Sequence, residues 1–404
     1  MNRPRLAAVI AAVALLGAAL ALAGLAGSVD PSDVTVTETS FRILLAALAV
    51  ALAAAAVLGL APAARHGRTR RVGQLAALAV VVLVLAALNV GAAVNAHYDY
   101  DRTLGDVLGL PPADEGSLAA LLRRRTVPDR GAVATLGVPA TASGFAARPA
   151  VVYVPPAWFA RPRPKLPVVV LLHGTPGSPG DWIDGGRAAA TADAWAAAHR
   201  GVAPILVMPD INGSLDADSE CVDGPLGRTE TYLAVDLPAA VSRTLLTAPP
   251  GRRWAVAGLS EGGSCSLMLA LRHPDTFATF GDYAGLAGPR VGDTNADTAS
   301  TVSGLFGGSA AAFAAHEPSA LLGTRSFRGL GGWFEVGDQD AEPLAATQAL
   351  VPLARAAGVR TCEKIIPGGG HTFDVFSAAF ADSLPWMAGR LDLAAPVTPP
   401  GCGP

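Results

Sequence analysis

The pattern of apolar and polar positions changes character near residue 97 of this 404-residue chain. Before it, three long runs at 6–27, 43–64 and 75–94 carry no charged side chain, and Asn89 is the one polar residue among them. Each run approaches or exceeds the roughly 20 residues that a helix needs to cross a hydrocarbon core. None shows the polar stripe of a soluble helix. Three transmembrane helices, at about 6–27, 43–64 and 75–94, are predicted; a cleaved signal peptide would explain only the first. Residues 97–130, broken by Pro111 and Pro112, read as a connector.

From about residue 131 the apolar runs shorten and alternate with longer amphipathic or Ala-rich stretches. Strands are expected at 150–154, 166–172, 205–208, 254–259, 277–283, 333–336 and 361–366. Helices are expected at 186–199, 231–246, 261–273, 344–357 and 373–393. The strand segments are nearly continuous in apolar residues, as buried parallel strands are. Strands alternating with helices of this length predict one α/β domain over 131–395, a mostly parallel sheet covered on both faces. Residues 396–404 form a tail.

Composition narrows the class. With 51% hydrophobic and 16% charged residues the chain is not disordered. A net charge of −3 gives no basic surface for nucleic acid. Arg3 and Arg5 precede the first apolar run, and Arg65, Arg68, Arg70 and Arg71 lie between the second and third. The loop between the first and second carries Asp30, Asp33 and Glu38, with Arg42 at its edge. This distribution predicts a cytoplasmic amino terminus and an extracytoplasmic domain after residue 97. All four cysteines, Cys221, Cys265, Cys362 and Cys402, lie in that outer part. Disulfides are expected there, with Cys221–Cys265 and Cys362–Cys402 preferred among the three possible pairings.

The candidate chemistry sits at strand ends. Gly258-Leu259-Ser260-Glu261-Gly262 follows one predicted strand and opens a predicted helix, the setting of a nucleophile elbow. A serine hydroxyl needs a base. His371, in the loop Pro367-Gly368-Gly369-Gly370-His371 between the last strand and last helix, is the candidate. His199 and His273 lie near helix ends, and His316 has no motif around it. An acid must orient the imidazole; Asp338 and Asp340, after the strand at 333–336, both qualify. The order Ser, Asp, His is that of the α/β-hydrolase fold. An oxyanion needs backbone donors. The N–H of Glu261, after the nucleophile, is one candidate, and the N–H of Thr175, in His173-Gly174-Thr175-Pro176-Gly177, is the other. That loop lacks the Gly-Lys-Ser/Thr ending of a phosphate cradle, and His173 reads as structural. Asp181 and Trp182 read as a pocket rim or a surface turn. No metal motif or dinucleotide fingerprint occurs, so no cofactor is expected.

Taken together, His173-Gly174, Gly258-Leu259-Ser260-Glu261-Gly262-Gly263, Arg272-His273-Pro274, Gly337-Asp338-Gln339-Asp340 and Gly370-His371 resemble the esterase family of α/β hydrolases. That family includes S-formylglutathione hydrolase, feruloyl esterases and the mycolyltransferases of actinobacteria. The resemblance covers about 131–395. In the family the acid commonly stands three residues after a glycine, which favours Asp340 over Asp338. The resemblance implies a membrane-anchored serine esterase of high-GC actinobacterial type, acting on a small-molecule or lipid ester. Acyl transfer to a sugar or lipid alcohol is the alternative within the enzyme class, and a silent envelope-binding fold is the alternative outside it. One departure stands out. Glu261 replaces the apolar residue often found after the nucleophile, and its carboxylate is expected to repel anionic acyl groups.

Overall fold

A computed structural model describes residues 117–403, together with scattered residues between 80 and 98. Most of the three apolar runs at 6–27, 43–64 and 75–94 therefore lies outside the described residues. Of the third run, Val80, Leu83, Val90 and Val94 are helical with exposed side chains. Among the described residues no helix is long and apolar enough to cross a membrane. The contacts divide the chain into Met1–Ala113 and Asp114–Pro404; the sheet belongs to the second unit.

Helix α1 (Leu118–Arg123) is capped by the Ser117 hydroxyl, which accepts from the Ala120 N–H. Strands β1 (Ala132–Leu136), β2 (Ala150–Val154), β3 (Val168–Leu172) and β4 (Ile205–Met208) follow, with helix α2 (Ala188–Ala198) between β3 and β4. A helical turn and a π-turn at Tyr232–Asp236 lead into α3 (Leu237–Leu245). Then come β5 (Gly251–Leu259), α4 (Glu261–Arg272), β6 (Phe277–Tyr283) and three short helices, α5 (Thr298–Leu305), α6 (Ala310–Ala314) and α7 (Pro318–Thr324). The chain closes with β7 (Gly331–Gly337), α8 (Ala341–Ala356), β8 (Arg360–Ile366) and α9 (Phe373–Arg390).

Among the described residues, eight strands form one sheet in the order β1-β2-β4-β3-β5-β6-β7-β8. β1 pairs with β2, and β2 with β4, in antiparallel fashion. Every later pairing is parallel. The alternation predicted from the sequence is present, and β3, β4 and β7 are buried along their whole length, as strands covered on both faces must be. One side of the sheet packs α3, α4 and α8 into a core that includes Val241, Met268 and Leu350. The other side packs α2 and α9 over Trp182, Tyr283 and Phe380.

Three differences from the sequence reading have plain causes. β1 lies just inside the expected domain boundary, and its Ala-Val-Ala-Thr-Leu run is too weakly apolar to stand out from the connector before it. Helices α5 to α7 are 8, 5 and 7 residues long, too short to show a helical period; the Asp297 and Ser309 side chains cap the first two. Trp182 sits in a turn, but the turn does not place it at the surface. It is fully buried, donates from Nε1 to the Leu172 carbonyl at 2.8 Å, and meets Tyr283 and Phe380 edge-on. Asp181 is buried as well and accepts from the Ser178 N–H and hydroxyl.

The cysteines pair as Cys221–Cys265 and Cys362–Cys402. The second bond ties the tail to β8, where the Glu363 N–H donates to the Gly401 carbonyl and the Gly403 N–H to the Thr361 carbonyl.

Candidate active site

β5 lies between β3 and β6 and delivers Ser260 at its carboxyl end. Ser260 has φ 56° and ψ −124°, a left-handed backbone that a non-glycine residue adopts only when its surroundings impose it. The surroundings do so: the Ser260 N–H donates to the Tyr283 carbonyl at 3.0 Å, and the Ser260 carbonyl accepts from Gly263 at 2.8 Å as α4 begins. The turn is so tight that a Cβ on Gly258 would stand 2.2 Å from the Gly262 carbonyl oxygen, and one on Gly262 would stand 2.4 Å from that of Leu172. The two flanking glycines thus let strand, turn and helix close on one another.

His371 arrives from the glycine-rich loop between β8 and α9. Its Nε2 lies 2.9 Å from Ser260 Oγ, and its Nδ1 lies 2.6 Å from Asp340 Oδ2. A carboxylate only accepts, so Nδ1 carries the proton and Nε2 is free to accept from the serine hydroxyl. Asp340 caps the start of α8 by position, yet its side chain makes no cap bond and turns to the imidazole instead. Asp338 does something else. Its carboxylate accepts from the Gly368 N–H at 2.8 Å and so anchors the near end of the histidine loop. Phe376, on α9, meets the His371 ring edge-on at 5.1 Å.

The loop after β3 also reaches Ser260. A Cβ on Gly174 would be 3.0 Å from Ser260 Cβ, so this loop touches the nucleophile. Among the described residues, neither the Thr175 nor the Glu261 backbone N–H is paired with a protein acceptor. His173, buried, holds the loop in place. Its Nδ1–H donates to the Gly174 carbonyl at 2.7 Å, and its Nε2 accepts from the Ile211 N–H at 3.2 Å. Asp210, after β4, takes the Arg148 guanidinium at 2.7 Å, and the same guanidinium donates to the Gly177 carbonyl at 2.9 Å. Burial alone would raise the Asp210 carboxyl, but the Arg148 guanidinium and the Arg148 and Asn212 N–H groups outweigh it and hold the group well below the usual carboxylate range.

The expectation that the Glu261 carboxylate faces incoming acyl groups is corrected. The residue is buried, and its side chain is taken up by the loops after β3 and β4. It bonds the Thr175 hydroxyl, accepts from Asn212 Nδ2 at 2.8 Å, and accepts from the Glu220 N–H at 3.0 Å. Burial and the nearby Asp218 charge push the Glu261 carboxyl up to about 7. Glu220 is raised by burial and by Glu261 and Asp218. Asp218, Glu220 and Glu261 present oxygens within 4.8 Å of one another. The Cys221 and Cys265 sulfurs also approach Glu261, but they are joined to each other and offer no thiolate to a metal. Asn212, Asp210 and Arg148 carry no motif in the sequence; the bonds of Asn212 to Thr175 and Glu261, and of Arg148 to Asp210 and Gly177, span 29 to 62 residues of chain.

Comparison with known proteins bears on the family and the fold. The family model described as an esterase matches residues 146–387. An uncharacterized protein of Corynebacterium glutamicum is 35% identical over 341 residues, covering 81% of this chain and 78% of that protein. In fold, the chain is similar to a ferulic acid esterase (TM-score 0.54, 19% identity, 65% of this chain and 98% of that one). It is also similar to an S-formylglutathione hydrolase from Agrobacterium tumefaciens (TM-score 0.53, 17% identity, 67% and 99%). The likeness to those two solved structures establishes the α/β-hydrolase fold. The family match, which spans more than half of the residues, establishes that the chain belongs to the esterase family.

Proposed function

We propose that this chain is a serine esterase in which Ser260 is the nucleophile, His371 the general base and acid, and Asp340 the group that orients His371. The observation that carries the reading is the continuous path Asp340 Oδ2, His371 Nδ1, His371 Nε2, Ser260 Oγ, with separations of 2.6 and 2.9 Å. His371 Nε2 takes the serine proton as Oγ attacks the ester carbonyl carbon. The carbonyl oxygen becomes an oxyanion facing the Thr175 and Glu261 N–H groups, and each such donor contributes on the order of 3–4 kcal/mol. His371 then protonates the leaving alcohol, which departs and leaves Ser260 acylated. Water, deprotonated by His371, attacks the acyl-enzyme and frees the acid.

Transfer of the acyl group to a sugar or lipid alcohol would use the same acyl-enzyme and differs only in the acceptor. A fluorophosphonate probe tests the core of the reading. It labels Ser260 in the wild-type protein and fails to label Ser260→Ala, and the wild type hydrolyses p-nitrophenyl acetate. Absence of a Ser260 adduct would leave a silent, binding-only fold. Product analysis with added sugar or lipid alcohol separates hydrolysis from transfer.

The catalytic unit is proposed to sit outside the cell behind a three-span anchor at 6–27, 43–64 and 75–94, with its amino terminus in the cytoplasm. The basic residues flanking these runs and the two disulfides support that placement. A reporter fused after His97 that is active only in a cytoplasmic assay overturns it.

A further inference from the structure

Catalysis as set out above uses the backbones of Glu261 and Thr175, and their side chains are bonded to each other. Glu261 Oε1 accepts from the Glu220 N–H, and Oε2 accepts from Asn212 Nδ2. The second Asn212 Nδ2 hydrogen goes to Thr175 Oγ1 at 2.7 Å, and Asn212 Oδ1 accepts from the Ser219 N–H at 2.9 Å. Thr175 Oγ1 also lies 3.2 Å from the Ala217 carbonyl oxygen. A hydroxyl has one hydrogen, and a carbonyl can only accept. Once the Thr175 hydrogen serves Ala217, the bond between Thr175 Oγ1 and Glu261 Oε2 needs a hydrogen on Glu261. Every donor and acceptor in the group is matched when Glu261 is the neutral acid.

We propose that the Glu261 side chain, as the neutral acid, is a positioning residue that fastens the Thr175 loop to the first residue of α4, and that its ionisation disables the oxyanion hole. The inference rests on the Ser260 reading above. Ionisation acts in two ways. It leaves one Thr175 hydrogen for two acceptors, so the tie to Glu261 or to Ala217 is lost. It also places a buried negative charge on the residue whose N–H faces the developing oxyanion. Burial and the Asp218 charge favour the neutral form, and they outweigh His173 and the Thr175 and Asn212 hydrogen bonds, which favour the charged one. Asp218 and Glu220 face it from the loop after β4, with Asp293 behind Asp218, and the Arg290 backbone N–H serves Glu220. His173 faces it from the loop after β3, with Asp210 and Arg148 beyond. Asp282 lies behind the first turn of α4, and His371 lies across Ser260.

The test measures kcat and KM separately for p-nitrophenyl acetate from about pH 6 to 9, with Ser260→Ala as the blank. In the wild type, kcat falls on the order of tenfold or more on the alkaline side while KM holds. Glu261→Gln, which cannot ionise, removes the alkaline fall. Glu261→Met, which cuts the tie, has a low kcat at every pH. A wild-type kcat that stays flat on the alkaline side overturns the proposal without recourse to any variant. So does an alkaline fall that persists in Glu261→Gln, or a full kcat in Glu261→Met. Failure of the Ser260 reading looks different: no turnover and no fluorophosphonate adduct at any pH.

Discussion

His371 Nδ1 donates to Asp340, and Asp338, two residues nearer the end of β7, does not touch the imidazole. Two aspartates in one turn thus have separate tasks. One orients the base, and the other holds the loop that carries it.

Asp340→Asn is expected to lower kcat by about 10³–10⁴ because an amide no longer selects the tautomer that leaves Nε2 free. Asp338→Asn removes one loop anchor and is expected to cost less than about tenfold. Steady-state rates on a short ester, with circular dichroism to confirm folding, check both. A larger loss in Asp338→Asn would transfer the orienting role to that residue.

The elbow predicts its own fragility. Gly258→Ala places a methyl group 2.2 Å from the Gly262 carbonyl oxygen. Relief requires β5 and α4 to separate, at about 3 kcal/mol or more. Thermal melting and fluorophosphonate labelling should both decline. A variant that melts like the wild type would show that the turn has slack.

Asp282, fully enclosed behind α4, gives a pH dependence of stability. Burial pushes its carboxyl up to about 7, and the Gly285 N–H it accepts only partly offsets this. The folded group holds its proton where the unfolded chain has released it. Its contribution to stability is therefore complete below about pH 4 and is lost as pH rises through about 7, a loss on the order of 4 kcal/mol. Asp282→Asn does not titrate. Its stability relative to the wild type should rise between acid and pH 8, as urea midpoints at the two pH values would record. A pH-independent difference would mean that Asp282 is ionised in the folded protein.

The disulfides close loops of 44 and 40 residues in sequence separation. Loop-closure entropy puts each at about 4 kcal/mol. Cys221→Ser with Cys265→Ser should lower the melting temperature by several degrees and loosen the acidic loop beside Glu261. An unchanged melt would show that the packing of Cys221 and Cys265 in the core suffices.

Much of this was legible along the chain. The positions of β2 and β6, the elbow, the histidine loop and the Ser-Asp-His order could be read because each depends on local residues: an apolar run, a glycine, a strand end. The separation of Asp340 from Asp338 needed a family resemblance, since both follow the same strand. What stayed hidden depends on contacts between distant residues. Nothing near Asn212 signals that it bridges Thr175 and Glu261, 37 and 49 residues away. Glu261 itself looked like a charge facing the substrate because the sequence gives no sign that its side chain is taken up by the loops after β3 and β4. The short helices α5 to α7 were missed because fewer than three turns cannot establish a period.

The tail at β8 has a consequence for handling the protein. A terminal strand in a parallel sheet exposes a row of unused amides and carbonyls that another molecule can join. Gly401 and Gly403 occupy part of that row, and the Cys362–Cys402 bond keeps them there. Under reducing conditions, or after truncation before Gly401, the seal lifts and β8 of one molecule can zip onto β8 of another. Chromatography of the protein with and without reductant is expected to show self-association only in the reduced sample.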